Sequence, residues 1–539
     1  MEVMNASTYD VKRLDHLGMI AGFCKEIGLN EWVDTHFPKE SHNSHITNGQ
    51  LFIAMLLNGL GFVSRTLHVY PEYFKDIPTE RLLGEGVLPQ HINDDVLGRF
   101  LDSLYEKGVS SLYQELAYKV VRHLSLPCSS LNLDATSFHV DGEYHQDIDA
   151  QTIHLTQGYS RDHRPDLNQV VLNLITENKA GIPLYMKACS GNTQDVQGFK
   201  EIVKEHIKSL KAAYKNTYFI SDAALYTEET INALAEEEQF FITRVPQKLK
   251  EAKLLIDKAK SVEWVLLDNG YYGYWATSQY GGVSQRWLLV KSSQAKVREE
   301  HILKKVISKS TDSSLKSFNR LCRKAFSCSA DAKKALQEWV DAQEFVTLHN
   351  EAIVEEQKHA KRGRPGLDAK YTSQFYITGF LATSLNLKAQ AQDTKGLFII
   401  ATNDCSEALS MQFILDEYKS QQAVERGFRF LKSPDFLTSS LFLKKPERIE
   451  ALLMIMTSCL MIYASVEHQI RKVLQENNAS FPDMKKKPTQ KPTAKWVFFC
   501  FQGISVLTID GTHQVVTNMM DRQRILLNCL GKLYWEFYS

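Results

Sequence analysis

Nine cysteines are too few and too scattered to cross-link a chain of 539 residues. Cys24, Cys128, Cys189, Cys322, Cys328, Cys405, Cys459, Cys500 and Cys529 include no CxxC pair. That argues against a zinc ribbon and against a disulfide framework, and it fits a reducing cytoplasm. Net charge is missing too. The 63 basic and 63 acidic residues cancel, so no global field draws in polyanions and any nucleic-acid contact falls to local patches. The opening MEVMNASTYD holds neither a basic start nor an apolar core, so no signal peptide is expected. The apolar run 451–466 lies between Glu450 and Glu467 and falls short of the ~20 residues a membrane span needs. It reads as a buried helix, and no membrane partner is expected. There is no internal repeat.

What is present is core-forming material. Hydrophobic residues make up 44% of the chain and aromatics 10%, ample for several globular units. Residues 1–125 read as a helical N-terminal domain, with apolar residues at helical spacing in NGQLFIAMLLNGLGF and again from Asp94 onward. Its 11 Lys and Arg against 16 Asp and Glu leave a net of −5, a poor footprint for gripping DNA by charge, which tilts its role from DNA binding toward pairing subunits. From 126 to 245 the pattern is strands, then alternating helices and strands, which predicts a mixed α/β sheet flanked by helices. Residues 246–395 read as an insertion: a Tyr-, Trp- and Gly-rich antiparallel meander, then a charged helical stretch. The α/β pattern resumes over 396–476, and 477–539 reads as a Pro/Lys-rich linker followed by a helical segment.

The stretch 416–432, DEYKSQQAVERGFRFLK, carries the densest chemical signal. It reads as one helix on which Tyr418, Gln421, Glu425, Arg429 and Lys432 follow at steps of three or four, so they stack on one face. An acid among aromatic, amide and cationic groups suits a carboxylate that binds metal beside phosphates. The same spacing also describes a solvated face with one Glu–Arg pair. Two further acids belong to predicted strands: Asp134 lies within the first, between Leu133 and Ala135, and Asp222 follows TYFIS at the end of another. Either alone is equally a turn former or a helix cap. Together with Glu425 they make a trio separated by 88 and 203 residues, so any site they share is built by the fold. Three carboxylates suit Mg²⁺ or Mn²⁺, and two such ions about 4 Å apart can activate one oxygen and stabilise another in phosphodiester chemistry.

These segments resemble the DDE-class transposases of bacterial insertion sequences, in the branch with a Tyr-x2-Arg-x3-Glu-x6-Lys signature. Tyr418, Glu425 and Lys432 match it, and Gln421 stands where the branch has Arg. LNLDATSF and YFISDAALY match the segments of the first and second Asp, while GYSRDHRPDLNQ, SGNTQD and FRFLKSPDFLTSSLFLKKPERIEALLMIM resemble further stretches. The resemblance implies a ribonuclease-H-like core interrupted by an insertion between the second Asp and the Glu. It implies Asp134, Asp222 and Glu425 as catalytic ligands of two Mg²⁺ or Mn²⁺ ions. The partners it implies are double-stranded DNA, both terminal repeats and target, bound by a homodimer or higher oligomer near the nucleoid. Tyr418 and Lys432 would then hold phosphates, with Arg429 added because it shares their face. Gln421 cannot neutralise a phosphate as Arg does; Arg426 is a substitute, although it sits roughly 100° around the helix from Glu425.

Other basic patches are less specific. Residues 419–448 hold seven basic against three acidic residues, and 304–334 hold nine against two. Either run suits DNA, and either suits a solvated face. KRGRPG resembles the core of an AT-hook, in which Arg362 and Arg364 would enter a narrow minor groove; a basic surface loop is the competing reading. His139, His145, His154 and His163 lack ligand spacing. Two alternatives share the trio: a transposase-derived protein that binds DNA without cutting, and a nuclease that cuts without joining.

Overall fold

The computed structural model describes residues 8–39, 45–62, 66–140, 152–160, 164–194, 217–359, 371–384, 389, 394–421, 427, 431–432, 440–441 and 443–539. Its axis is the helix Pro446–Glu476, which starts with proline at its first position, where no amide hydrogen is required. It is long and apolar enough to cross a membrane, but 89% of its most apolar window is buried inside the protein. The apolar run therefore forms a core helix, nearly twice as long as the run itself.

Around this axis pack the N-terminal helices Leu17–Glu26, Asn48–Leu60, Asp94–Lys107 and Val109–Leu124. Local chemistry sets their starts. Thr47 and Gln50 cap each other's backbone N–H groups at one, and Asn93 accepts from Val96 N at another. Arg448 of the core helix grips Asp102 with two hydrogen bonds of 2.7 and 2.6 Å. The 477–539 segment differs from the linker and helix expected. A strand β1 (Tyr9–Arg13) pairs with a C-terminal hairpin, SVLTI and HQVVT, whose strands are rich in β-branched residues and meet at an Asp510-Gly511 turn. The Pro/Lys-rich stretch is a tight turn, in which Asp483 accepts from the backbone of Lys485 and Lys487. Helix Lys532–Tyr538 then lies against Leu17–Glu26, where a Cβ on Gly18 would come within 2.7 Å of the Tyr538 ring.

The large sheet draws on strands throughout the chain. Its members are β2 (Ser130–Val140), β3 (Asn168–Glu177), β4 (Pro183–Ser190), β5 (Tyr218–Ser221), β6 (Phe240–Arg244), β7 (Val265–Leu266), β8 (Tyr271–Tyr280) and β9 (Val283–Ser292). Two strands, β10 (Val346–His359) and β11 (Tyr371–Thr383), form a separate antiparallel ribbon. The sheet resumes with β12 (Leu397–Thr402) and the short β13 (Ser440–Leu441). Its order is β4-β3-β2-β5-β6-β12-β9-β8-β7, with β13 beside the end of β2. β2, β5 and β6 are mutually parallel, and β3, β4 and β12 are antiparallel to their neighbours. The meander β7–β9 thus extends the sheet through β12. A small separate core, in which Phe318, Phe326, Ala332 and Ile377 are buried, joins the helices Ser293–Cys322 and Ser329–Asp341 to the ribbon.

Candidate active site

Backbone register brings the two aspartates together. Ser130 pairs with Tyr218 and Asn132 with Ile220 in the parallel β2–β5 ladder, and two further residues set Asp134 beside Asp222. Neighbouring strands lie about 4.8 Å apart, and residues level with one another point to the same face. The row continues through Arg244 on β6, Ile400 on β12 and Leu288 on β9. Asp222 stands one residue past the end of β5, where Thr243 Oγ1 donates to its carbonyl at 2.7 Å. Each carboxylate spends one oxygen on local backbone: Asp134 Oδ1 accepts from Ala135 N at 2.8 Å, and Asp222 Oδ1 accepts from Ala224 N at 2.9 Å. Asp134 is half-buried and Asp222 exposed.

The helix Met411–Lys419 covers the same face. Ser410 caps it by accepting from Phe413 N, and its Ile414 and Leu415 are buried with Ile220, Ile242, Leu288, Val290 and Ile400. The helix starts five residues before position 416, and its regular part ends in a turn at Ser420 and Gln421. A good helical composition across 416–421 did not reveal that stop, since Asn178, whose side chain engages Ser420 and Glu417 there, is remote in sequence. Ser420 Oγ donates to both Glu417 O and Asn178 Oδ1.

Glu417 was not singled out by the sequence, yet it ties this helix to the strand of Asp134. Its Oε2 accepts from Ser130 Oγ and from Asn178 Nδ2, the latter at 2.6 Å. Asn178 Oδ1 in turn accepts from Asn132 Nδ2 at 2.6 Å. Ser130, Asn132 and Asp134 alternate onto one face of β2, so this polar cluster leads directly to Asp134. Nearby Glu177 is buried, and desolvation raises its carboxyl above the usual range, with Glu417 adding repulsion. Only spacing relative to Ser130, which no sequence motif encodes, could have flagged Glu417.

Of the signature residues, Tyr418 packs against the core with its ring 6.3 Å from that of Phe398. Gln421 is half-buried, and among the described residues its Nε2 has no hydrogen-bond partner. Lys432 holds its ammonium 6.0 Å from the ring of Phe138, far along β2. Arg244 was also missed: it lies level with Asp222 and stacks 5.5 Å over Phe398. Glu425, Arg426, Arg429, Arg362 and Arg364 lie outside the described residues, as do His145 and His163. His139 and His154 are described; the first is buried at the end of β2.

The two stretches resembling family loops meet at the other end of β3 and β4. Gln169 Nε2 donates to Gly191 O at 2.7 Å and Gly191 N to His154 O at 3.0 Å. A Cβ at Gly191 would sit 2.1 Å from Gln169 O, so only glycine fits there.

A family model described as a transposase DDE domain matches residues 134–462. The chain belongs to the DDE transposase family. The match begins at Asp134 and spans Asp222, position 425 and the first half of the core helix. In this transposase the N-terminal residues 9–118 match a second model, described as a domain of unknown function. No curated protein matches. Among solved structures, a cryo-EM structure of a piggyBac transposase synaptic complex with hairpin DNA is similar at 9% identity, over 90% of this chain and 79% of that one, with a TM-score of 0.38.

The donor set fits a divalent ion. Two carboxylates held side by side repel each other unless a cation lies between them, and hard cations prefer such oxygens. Among the described residues no three His, Cys, Asp or Glu side chains cluster as a metal site. The third carboxylate expected, Glu425, lies outside them.

Proposed function

We propose that this transposase cuts and joins phosphodiester bonds at the ends of an insertion sequence, using Asp134, Asp222 and Glu425. The single observation carrying the proposal is the register that sets Asp134 level with Asp222 on the face covered by the signature helix. The described residues flanking Glu425 support its place in the trio. Glu417 touches Ser130 and Lys432 lies near Phe138, so described residues on either side of position 425 in the sequence both meet β2. The strand order β4-β3-β2-β5-β6, with β2, β5 and β6 parallel, supports a ribonuclease-H-like core.

Two Mg²⁺ or Mn²⁺ ions held by these carboxylates would activate the attacking oxygen and stabilise the leaving one. The chain's own residues do the rest. Asp134 and Asp222 are held by their strands and by backbone N–H groups, so they need little reorganisation when a phosphate arrives. Lys432 binds backbone phosphate near the acids, and Arg244 supplies a cation level with Asp222. Water attacks phosphorus and the 3′-oxygen leaves as a hydroxyl; that hydroxyl then attacks a target phosphodiester, releasing a second 3′-oxygen. Both are in-line displacements, so one site serves both. The acidic N-terminal domain pairs subunits on DNA. Nine free thiols suit a cytoplasmic, nucleoid-associated protein.

The test is strand cleavage of end-bearing duplex with Mg²⁺. Asp134→Asn, Asp222→Asn and Glu425→Gln should each reduce cleavage by about a thousandfold or more, the scale of losing a principal electrostatic group. Parent-level cleavage by any of them removes that residue from the site. End binding without cleavage by the parent would favour the silent DNA-binding protein, and cleavage without joining of pre-cut 3′-hydroxyl ends would favour the nuclease.

A further inference from the structure

The helix Ser293–Cys322 runs for 30 residues, and one face of it is buried: Leu303, Ile307, Ser314 and Phe318. At 100° per residue these four centre on a single direction. Arg298, Lys305, Lys309, Lys316 and Arg320 fall within about 60° of arc on the opposite side. All five are exposed, and none forms an ion pair with an acid among the described residues. Asp312 is the one acid on this stripe. From Arg298 to Arg320 the stripe is about 33 Å long, close to one helical turn of duplex DNA.

The root of this helix is set relative to the acid pair. β9 is antiparallel to β12, which is antiparallel to β6, so β9 runs in the same direction as β5 and β2. Leu288 is level with Asp222, and four more residues carry β9 about 13 Å beyond that row before the helix begins. The helix therefore leaves the sheet by the edge at which Asp222 ends β5. Its first turns are pinned there, because Gly396 N donates to Glu299 Oε2 at 3.1 Å and Ser292 N donates to Gly396 O at 2.8 Å.

We propose that this stripe is a docking surface for the backbone of duplex DNA, contacting about one turn of the duplex that leads away from the acid pair. Five cations in a line, none of them paired among the described residues, are complementary to a row of phosphates, and contacts to phosphates carry no sequence information. The choice of DNA as occupant rests on the transposase reading, but the binding test does not depend on cutting.

The experiment uses the full chain and fluorescence anisotropy with a labelled 40-base-pair duplex, one version bearing the element end and one of unrelated sequence. The variant combines Lys305→Gln, Lys309→Gln, Lys316→Gln and Arg320→Gln. Over about 50–200 mM KCl, the slope of log K against log salt should become shallower by about 3 to 4, near 0.9 for each lost phosphate contact. Affinity should fall on both duplexes alike. A variant with Lys305→Arg, Lys309→Arg and Lys316→Arg keeps the charge and should keep the parent slope. An unchanged slope in the glutamine variant overturns the proposal, as does a loss confined to the end-bearing duplex. Asp134→Asn separates the two readings. If it binds with the parent slope but does not cut, both stand; if it cuts like the parent, the catalytic assignment fails and the stripe is judged on its slope alone.

Discussion

Replacing Glu417 with alanine should loosen the signature helix without unfolding the protein. The carboxylate is the shared acceptor of Ser130 Oγ and Asn178 Nδ2, and a hydrogen bond to a charged group contributes about 1.5–3 kcal/mol. The two donors sit in one cluster, so their contributions overlap, and about 3 kcal/mol is expected for the loss of both. In a chain this large a single unfolding transition is not assured, so hydrogen exchange resolved by segment is the suitable assay. Amides in Met411–Lys419 should lose roughly a hundredfold protection, while those in the core helix Pro446–Glu476 keep theirs. Glu417→Gln keeps an acceptor oxygen and should lose only about a third of that free energy. If the alanine variant protects the helix like the parent, the polar cluster does not hold it, and the argument that Glu417 positions the segment toward Asp134 fails. Cleavage should fall with protection, and the glutamine variant should recover both.

Further consequences concern pH, the Arg448–Asp102 ion pair and a tight loop. His16 is buried against Phe498, and burial pushes its imidazole down to about 4. An unfolded chain takes up that proton near pH 6.5, so stability should fall as pH drops from 6.5 toward 4, by about 3 kcal/mol in all, and His16→Gln should flatten that slope in pH-dependent denaturation. The side-chain hydrogen bond from Arg448 holds the Asp102 carboxyl below the ordinary carboxylate range. That contribution is present above the unfolded pKa and is lost as pH falls through the folded one. Arg448→Met should lower the thermal midpoint at pH 7 more than at pH 3, and the partly exposed pair should contribute only about 1 kcal/mol. Gly191→Ala forces a Cβ into two carbonyl oxygens, so it should destabilise the loop joining Gln169 and His154 by more than about 2 kcal/mol, read as faster proteolysis at 154–169.

Much of the catalytic half was legible before any coordinates. Alternation marked β2, short apolar runs marked β3 to β6, and the alternating order of strands and helices pointed to a mixed sheet, because those patterns are local. The apolar run ahead of Glu467 read as a buried helix for the same reason. The C-terminal strands were missed because each is only five residues long, and the first of them gains its second partner, β1, from almost 500 residues away. The meander was placed in an insertion, whereas its pairing with β12 makes it part of the large sheet. Glu417 and Arg244 were overlooked because neither belongs to a spaced motif; each matters through a neighbour on another strand.

The sequence alone determined which side chains this transposase has to work with: the carboxylates Asp134, Asp222 and Glu425, and the Gln421 and Lys432 that flank the last of them in the chain. Those are matters of identity and spacing, and they survive any folding. Only the tertiary structure decided that Asp222, one residue past the end of β5, comes level with Asp134 on the neighbouring β2. Parallel pairing joins segments separated by 88 residues through a ladder of backbone hydrogen bonds, and that register is a property of the whole sheet.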